Sequence, residues 1–557
     1  MRGSIQRLSL RGHVPHSSPR RARGLLPRAA AALCLCAGLL AGAAAAEGTT
    51  ELPRMVHKDG RHALLVDGQP FLILGDQVNN SSNWPAMLPK VWPAVEQMHA
   101  NTVEIPVAWE QVEAEEGKFD FSYLDTLLSQ AREHQVRLVL LWFATWKNNG
   151  PSYAPEWVKL DNRRFPRVVN AKGEVRGSLS PMFAQTLEAD RKAFVALMRH
   201  LRQVDPQRTV IMVQVENESG TYGAVRDHSP TAEQAFQGPV PDALLKALNK
   251  KGGTWRQVFG KNADEFFHAW HVAHYIDQVA AAGKAEYPIP LYVNAALRDP
   301  FKYQDPFTYS SGGPTWNVLD IWKAAAPSID VIGPDIYMYD TASIRRTLEQ
   351  YSRPDNALFV PETANKPDSA RYFFDIVGRR AIGYTPFGMD FTGYANHPLG
   401  AAKVDAATIE PFALNYQIVG PMAGEIARLG FEGRLWGAGE PDHEHAQTLD
   451  LGAWKVRLSY GFPQFNGGDQ APGNIPPSGG AFIAQLGPDE YLVTGVHVRV
   501  NFSPADGRKN WMMARVEEGY YDKGEWKFVR LWNGDQTDWG LNFTSLPQVL
   551  RVKLASY

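Results

Sequence analysis

From about residue 60 to 400, short β-rich runs alternate with amphipathic helical patterns, the rhythm of a parallel α/β fold. Eight runs read as strands: Phe71 to Val78, Asn101 to Val107, Val136 to Phe143, Thr209 to Glu218, Pro290 to Asn294, Asp330 to Tyr337, Ala357 to Glu362 and Ala381 to Met389. Between them apolar positions recur three and four apart, as in Tyr123 to Gln135, Glu188 to Arg202 and Asp264 to Ala282, which predicts helices. Eight such units predict a (β/α)8 TIM barrel. An open doubly wound sheet would want a Gly-rich phosphate loop after the first strand, and Gly75-Asp-Gln-Val-Asn79 is not one.

After about Ala401 the pattern changes. One helical stretch, Ile409 to Leu429, gives way to short β-rich runs separated by Gly, Pro, Asn and Asp. Leu451 to Leu458, Gly480 to Leu486, Tyr491 to Val500, Met512 to Glu518, Trp526 to Trp532 and Val549 to Leu554 predict an antiparallel, β-sandwich-like domain. Asn466 to Gly479, rich in Gly and Pro, reads as a long surface excursion. The predicted organisation is a signal peptide over 1–46, the barrel over 47–400, a helical connection over 401–429 and the all-β domain over 430–557.

The N-terminus is arginine-rich (Arg20, Arg21, Arg23, Arg28), then apolar from Ala29 to Leu40, then small from Ala41 to Ala46, which predicts an export signal and a periplasmic or extracellular protein. The apolar stretch is short for a membrane span, and no later run reaches about 18 apolar residues. Both cysteines, Cys34 and Cys36, lie in this segment. A chain beginning near Glu47 therefore lacks thiols, which excludes disulfides, cysteine catalysis and cysteine-ligated metal. With 57 basic and 59 acidic residues among 557, charge gives no reason to expect nucleic acid as partner.

Chemistry enters where strands end. Val213-Gln-Val-Glu-Asn-Glu218 is an apolar run closing on two acids around an asparagine, and Ala357-Leu-Phe-Val-Pro-Glu362 stops at a carboxylate in the same way. In a barrel, catalytic groups sit at the C-terminal ends of strands, so Glu218 and Glu362 are expected to face one pocket. An apolar strand has little reason to end in charge unless that charge reaches a polar cavity. Two facing carboxylates are the machinery of glycoside hydrolysis. The chain has 16 Trp and 20 Tyr, and flat amphipathic rings suit sugar faces. Trp109, Trp142 and Trp146, just past strands two and three, are candidate stacking platforms, and Trp146 to Trp157 a candidate rim loop.

Five further segments carry a family likeness. Asn101-Thr-Val-Glu-Ile-Pro-Val-Ala-Trp109, Glu115-Glu-Gly-Lys-Phe-Asp-Phe121 and the Asn-Glu and Pro-Glu strand ends resemble family 35 of the glycoside hydrolases, the β-galactosidases, from about Phe71 to Asp390. Tyr153-Ala-Pro-Glu-Trp157, Ser311-Gly-Gly-Pro-Thr-Trp-Asn317 and Pro334-Asp-Ile-Tyr337 resemble its bacterial branch with an extra C-terminal β-domain. The likeness implies that Glu218 is the acid/base, Glu362 the nucleophile and Asn217 the residue holding the sugar 2-hydroxyl. Other residues at or near strand ends are candidates to bind the galactosyl unit by position: Asn79, Glu104, Asn294 and Asp390. The sequence departs from the family where a Gly-Glu-x-His element commonly follows strand one and where Tyr commonly follows the acid/base, here Ser219.

The implied chemistry is retaining and needs opposite protonation states, Glu218 protonated and Glu362 ionised. This predicts hydrogen-bond donors around Glu362, with Tyr337 the first candidate and Tyr339 the second, and a drier or more negative setting around Glu218. The expected activity is an exo-acting β-galactosidase on oligosaccharides or plant polysaccharide side chains, without metal or cofactor. A β-glucosidase, an exo-β-glucosaminidase, a transglycosylase and a catalytically silent carbohydrate-binding protein are the alternatives. His268, His271 and His274, three apart on a helix, drift around its surface, and Asp442-His-Glu-His445 reads as a solvated turn, so neither predicts a metal site. No Gly-x-Ser-x-Gly elbow supports esterase or peptidase chemistry.

Overall fold

The computed structural model describes residues 51–461 and 471–557. The expected export signal with its two cysteines, and residues 466–470 of the expected surface excursion, lie outside the described residues.

Eight parallel strands close into a barrel: β1 (Ile73–Gln77), β2 (Thr102–Ala108), β3 (Arg137–Lys147), β4 (Val210–Asn217), β5 (Leu291–Ala296), β6 (Val331–Ile336), β7 (Val360–Thr363) and β8 (Gly383–Pro386). Each pairs with the next in sequence, and β8 returns to β1 through Gly383 opposite Ile73 and Tyr384 opposite Leu74. Every one falls on a run the sequence marks as a strand. The strands are buried on both faces, which is why they read as continuous apolar runs. Side-chain parity sorts the two faces. Val139, Leu141 and Phe143 join Ile73, Ile211, Tyr292 and Phe359 in one cluster filling the barrel. Leu138, Leu140 and Trp142 belong to the layer between strands and helices.

The helices Ser122–Glu133, Ala184–Val204 and Ala263–Glu286 lie within a few residues of expectation. A three-stranded antiparallel sheet precedes the barrel, formed by Arg54–Lys58, Arg61–Val66 and Gln69–Phe71. Leu64 and Val66 from it pack into the barrel-filling cluster. Its turns are Asp59-Gly60 and Asp67-Gly68, all four at positive φ.

Beyond β8, the helices Ala406–Val419 and Ala423–Phe431 lead into two antiparallel sheets, one of six strands and one of four. The expected strand Tyr491 to Val500 is two strands, Glu490–Val496 in the larger sheet and Val498–Pro504 in the smaller. His497 between them, at φ 48°, turns the chain from one sheet to the other. Trp454, Leu458, Ile483, Val493, Val500 and Leu550 share a core. The outer residues of the larger sheet, Phe482 and Leu492 among them, join the core of the barrel helices instead, with Phe482 packed on Phe373 and Phe374. No helix among the described residues is long and apolar enough to cross a membrane.

Candidate active site

At the end of β4 the backbone leaves the extended conformation. Glu216 and Glu218 both have positive φ, 65° and 44°, a conformation that costs a non-glycine residue about 1–3 kcal/mol and persists only where surroundings enforce it. At Glu218 the contact comes from β5: its amide donates to Asn294 Oδ1 at 2.8 Å, while Asn294 Nδ2 donates to Asp335 Oδ2 on β6 at 2.6 Å; at Glu216, Oε2 accepts from the Trp146 amide at 2.6 Å. Asn294 thus joins three strand ends through one side chain.

Glu362 on β7 faces them. Its Oε1 accepts from the Tyr337 hydroxyl at 2.5 Å and its Oε2 from Gln77 Nε2, on β1, at 3.0 Å. A carboxylate oxygen from each of Glu218, Asp335 and Glu362 lies within 4.8 Å of the other two. The crowding has an electrostatic consequence. Burial, and then the charge of Glu362, push the Glu218 carboxyl up to about 7, with the Lys147 ammonium pulling the other way. Burial and the charges of Glu362 and Glu218 push Asp335 well above the usual carboxylate range. Three carboxylates at this spacing could hold a cation, but donors from Tyr337, Gln77 and Asn294 already occupy oxygens on two of them.

Asn217 Oδ1 accepts from Lys147 Nζ at 2.7 Å, and its Nδ2 is buried with no partner among the described residues. Asn79 donates through its backbone N and its Nδ2 to the two oxygens of Asp390 at 2.8 and 2.9 Å, which leaves its buried Oδ1 without a partner. Asp390 itself is closed to ligand. It is fully buried, and Ser82 Oγ and the Thr392 amide take further acceptor positions on it, so it braces the loop after β1 and does not reach sugar.

Glu104 also needs correction as a sugar contact. It points into the barrel, where it accepts from Tyr292 at 3.1 Å and Thr385 at 2.7 Å, and burial pushes it up to about 8. None of the three tryptophans is a stacking platform. Trp109 is fully buried, donates to Glu113 and packs against Trp157. Trp142 points outward and donates to Asp190 of the helix Ala184–Val204 at 3.0 Å. Trp146 is buried against Tyr275 of the helix Ala263–Glu286. Tyr339 does not substitute for Tyr337: its hydroxyl donates to the Pro398 carbonyl and Lys366 covers its ring.

Asp335, Gln77 and Lys147 belong to the site, and the reading of the sequence passed over them. Each stands at the end of a barrel strand, the same signal that marked Glu218 and Glu362. The helix histidines have separate surroundings. His268 bonds Thr221, His271 packs on Phe267 and His274 stacks on Trp270. Asp442 accepts from the Thr341 amide and from Arg371.

Residues 79–274 of this chain match the family model described as Beta-galactosidase, that of glycoside hydrolase family 42. Residues 412–544 match a model described as a domain of unknown function (DUF5597). A curated β-galactosidase of Xanthomonas manihotis is 28% identical over 180 residues, which make up 30% of this chain and 26% of that protein. Among solved structures, the β-galactosidase of Bacillus circulans sp. alkalophilus aligns at a TM-score of 0.48 and 13% identity, over 64% of this chain and 57% of that one. That of Marinomonas ef1 aligns at 0.46 and 14%, over 64% and 61%. The chain therefore spans about a quarter of the curated relative and less than two thirds of these solved chains. The matched model is that of family 42, so the resemblance to family 35 is not supported. A strand ending in Asn-Glu and another in Pro-Glu describe where a barrel puts two carboxylates, and that geometry does not separate one such family from another.

Proposed function

We propose that the chain is a retaining glycoside hydrolase acting on terminal β-galactosyl residues of oligosaccharides or polysaccharide side chains. The observation that carries the reading is the pair Glu218 and Glu362, with carboxylate oxygens within 4.8 Å and unlike surroundings. Retaining enzymes hold their carboxyl groups about 5–5.5 Å apart, whereas inverting enzymes need about 6.5–9.5 Å to admit a water between them. Glu362, with a donor on each oxygen, is suited to be the ionised nucleophile, and Glu218, pushed up to about 7, to be the acid.

In the first step Glu362 attacks the anomeric carbon while Glu218 gives its proton to the departing glycosidic oxygen. In the second, ionised Glu218 takes a proton from water, the water oxygen bonds to the same carbon, and Glu362 leaves as a carboxylate. Two inversions return the β configuration, and every proton in the scheme comes from these side chains or from water. Galactose as the sugar rests on the likeness of residues 79–274 to a β-galactosidase model. Export rests on the N-terminal pattern of the sequence.

The test is a panel of aryl β-glycosides with wild type, Glu362→Ala and Glu218→Ala, azide being added to the last. The reading expects the galactoside to be cleaved best, Glu362→Ala to be inactive, and azide to rescue Glu218→Ala with a β-galactosyl azide as product. A better glucoside or glucosaminide moves the sugar assignment; normal activity in Glu362→Ala overturns the mechanism.

A further inference from the structure

Lys147 ends β3 in register with Asn217 of β4. It is 6% exposed, with its ammonium 5.0 Å from the centre of the Phe143 ring, and it donates to Asn217 Oδ1 at 2.7 Å and Asn148 Oδ1 at 2.5 Å. An ammonium offers donors and no acceptor, so the atom of Asn217 that faces it must be the oxygen. This contact fixes which way the amide points. The other end, Nδ2, is a buried donor with no partner among the described residues, one residue before Glu218.

We propose that Lys147 is a specificity-determining positioning residue: by locking the Asn217 amide with Nδ2 free, it makes the site demand a hydroxyl, and refuse an ammonium, on the sugar carbon next to the reacting one. The inference rests on the retaining glycosidase reading. If Glu218 and Glu362 flank the anomeric carbon, the substituent closest to that carbon is the one on C2, and hydrogen bonds to it strengthen in the transition state. A 2-hydroxyl oxygen has a lone pair for Nδ2. A 2-ammonium has none, and it would also meet the charge of Lys147 across the width of one amide. Without Lys147 the Asn217 amide is free to turn and present its oxygen instead.

Lys147 has a second reach. The groups facing Glu218 are Lys147 from β3, Asp335 from β6 and Tyr337 just beyond it, Glu362 from β7 and Tyr222 from the loop after β4. Lys147 is the one cation among these, and it favours ionised Glu218. Its removal moves the loss of activity on the basic side to higher pH.

The experiment compares aryl β-galactoside, its 2-deoxy analogue and its 2-amino-2-deoxy analogue at about pH 6, where a sugar amine is an ammonium. Enzymes are wild type, Lys147→Met, Lys147→Arg, Asn217→Ala and the Lys147→Met/Asn217→Ala double variant. Wild type should prefer galactoside to 2-deoxy and 2-deoxy to 2-amino. Lys147→Met should lose about 30- to 100-fold in kcat/KM on galactoside and under about 3-fold on 2-deoxygalactoside, with its basic limb moved up. Lys147→Arg, which keeps a donor, should recover part of the loss, and the double variant should be no worse than Asn217→Ala by more than about 3-fold.

Equal losses on galactoside and 2-deoxygalactoside overturn the proposal. So does wild type cleaving the 2-amino substrate as fast as the 2-deoxy one, the outcome expected if Asp335 Oδ1 were the group at C2. The wild-type comparison decides even if Lys147→Met fails to fold. A wild type inactive on every glycoside overturns the glycosidase reading, a result distinct from either of these.

Discussion

The Tyr337 hydroxyl donates to Oε1 of Glu362 at 2.5 Å, across from Gln77, which donates to Oε2 at 3.0 Å. The two donors come from just past β6, the strand adjacent to β7, and from β1, two strands away on the other side, so Glu362 is oriented from both flanks and not by its own strand. A hydrogen bond to a charged group is worth about 1.5–3 kcal/mol. Tyr337→Phe removes one such bond without changing shape, and kcat/KM on aryl β-galactoside is expected to fall about 10- to 100-fold. The melting temperature should move little. Steady-state kinetics beside a thermal melt makes the check, and unaltered kinetics would show that this bond does not prepare Glu362.

Among the carboxyls held above the usual range, Glu218 bears on activity and Glu104 on stability as pH changes. Burial and the charge of Glu362 push Glu218 up to about 7, and it must be protonated to act as acid, so kcat/KM of the free enzyme should decline as pH rises through about 7. Glu104, pushed up to about 8, bears on stability. Its folded-state value lies above its unfolded one, so the folded protein holds the extra proton. The stability from that proton is complete below about 4.5 and lost as pH rises through about 8. Wild type should therefore melt lower at pH 9 than at pH 6. Glu104→Gln, which cannot ionise, should flatten that dependence; an unchanged slope would assign it to other groups.

The barrel was legible because strands buried on both faces carry apolar runs too long to be chance, and their ends announced Glu218 and Glu362. Parity was equally present: Leu141 and Phe143 face inward, so Trp142 between them has to face out, and the choice of Trp142 as a sugar platform overlooked this. Asp59-Gly60 and Asp67-Gly68 carry the strongest short-range hairpin signal, and they build the small sheet that the search for barrel strands passed over. What no local pattern could supply is Asn294 joining Glu218 to Asp335, or Lys147 fixing Asn217, since those pairs are 41 to 76 residues apart for Asn294 and 70 for Lys147. They exist only once the strands have closed.

Trp142 offers a direct measure of the difference between packing and sugar contact. Its ring is enclosed by the helix layer and its N–H donates to Asp190, which also accepts from Thr145 and Tyr275. Trp142→Ala leaves a cavity and a lost donor and is expected to cost about 3–5 kcal/mol in urea unfolding. KM for an aryl galactoside should stay within about 2-fold of wild type in the folded fraction, since the side chain meets no substrate. A large rise in KM with intact stability would restore the platform role.

The barrel helices and the C-terminal sheets meet at a close contact. The helix Tyr372–Gly378 approaches the strand Leu435–Gly439 so closely that a Cβ on Gly437 would lie 2.6 Å from the Phe374 carbonyl oxygen, and one on Gly378 would lie 2.4 Å from the Gly437 Cα. Neither glycine has a positive φ, so the requirement is close approach, not backbone conformation. Because Phe373 and Phe374 share a core with Phe482, prising the two elements apart should be felt in both regions. Gly437→Val is expected to destabilise the protein by about 1–3 kcal/mol, the cost of overpacking, and to lower the melting temperature of one common transition seen by calorimetry and by loss of activity alike. A separate early transition with activity preserved would show instead that the sheets unfold alone and the barrel stands without them.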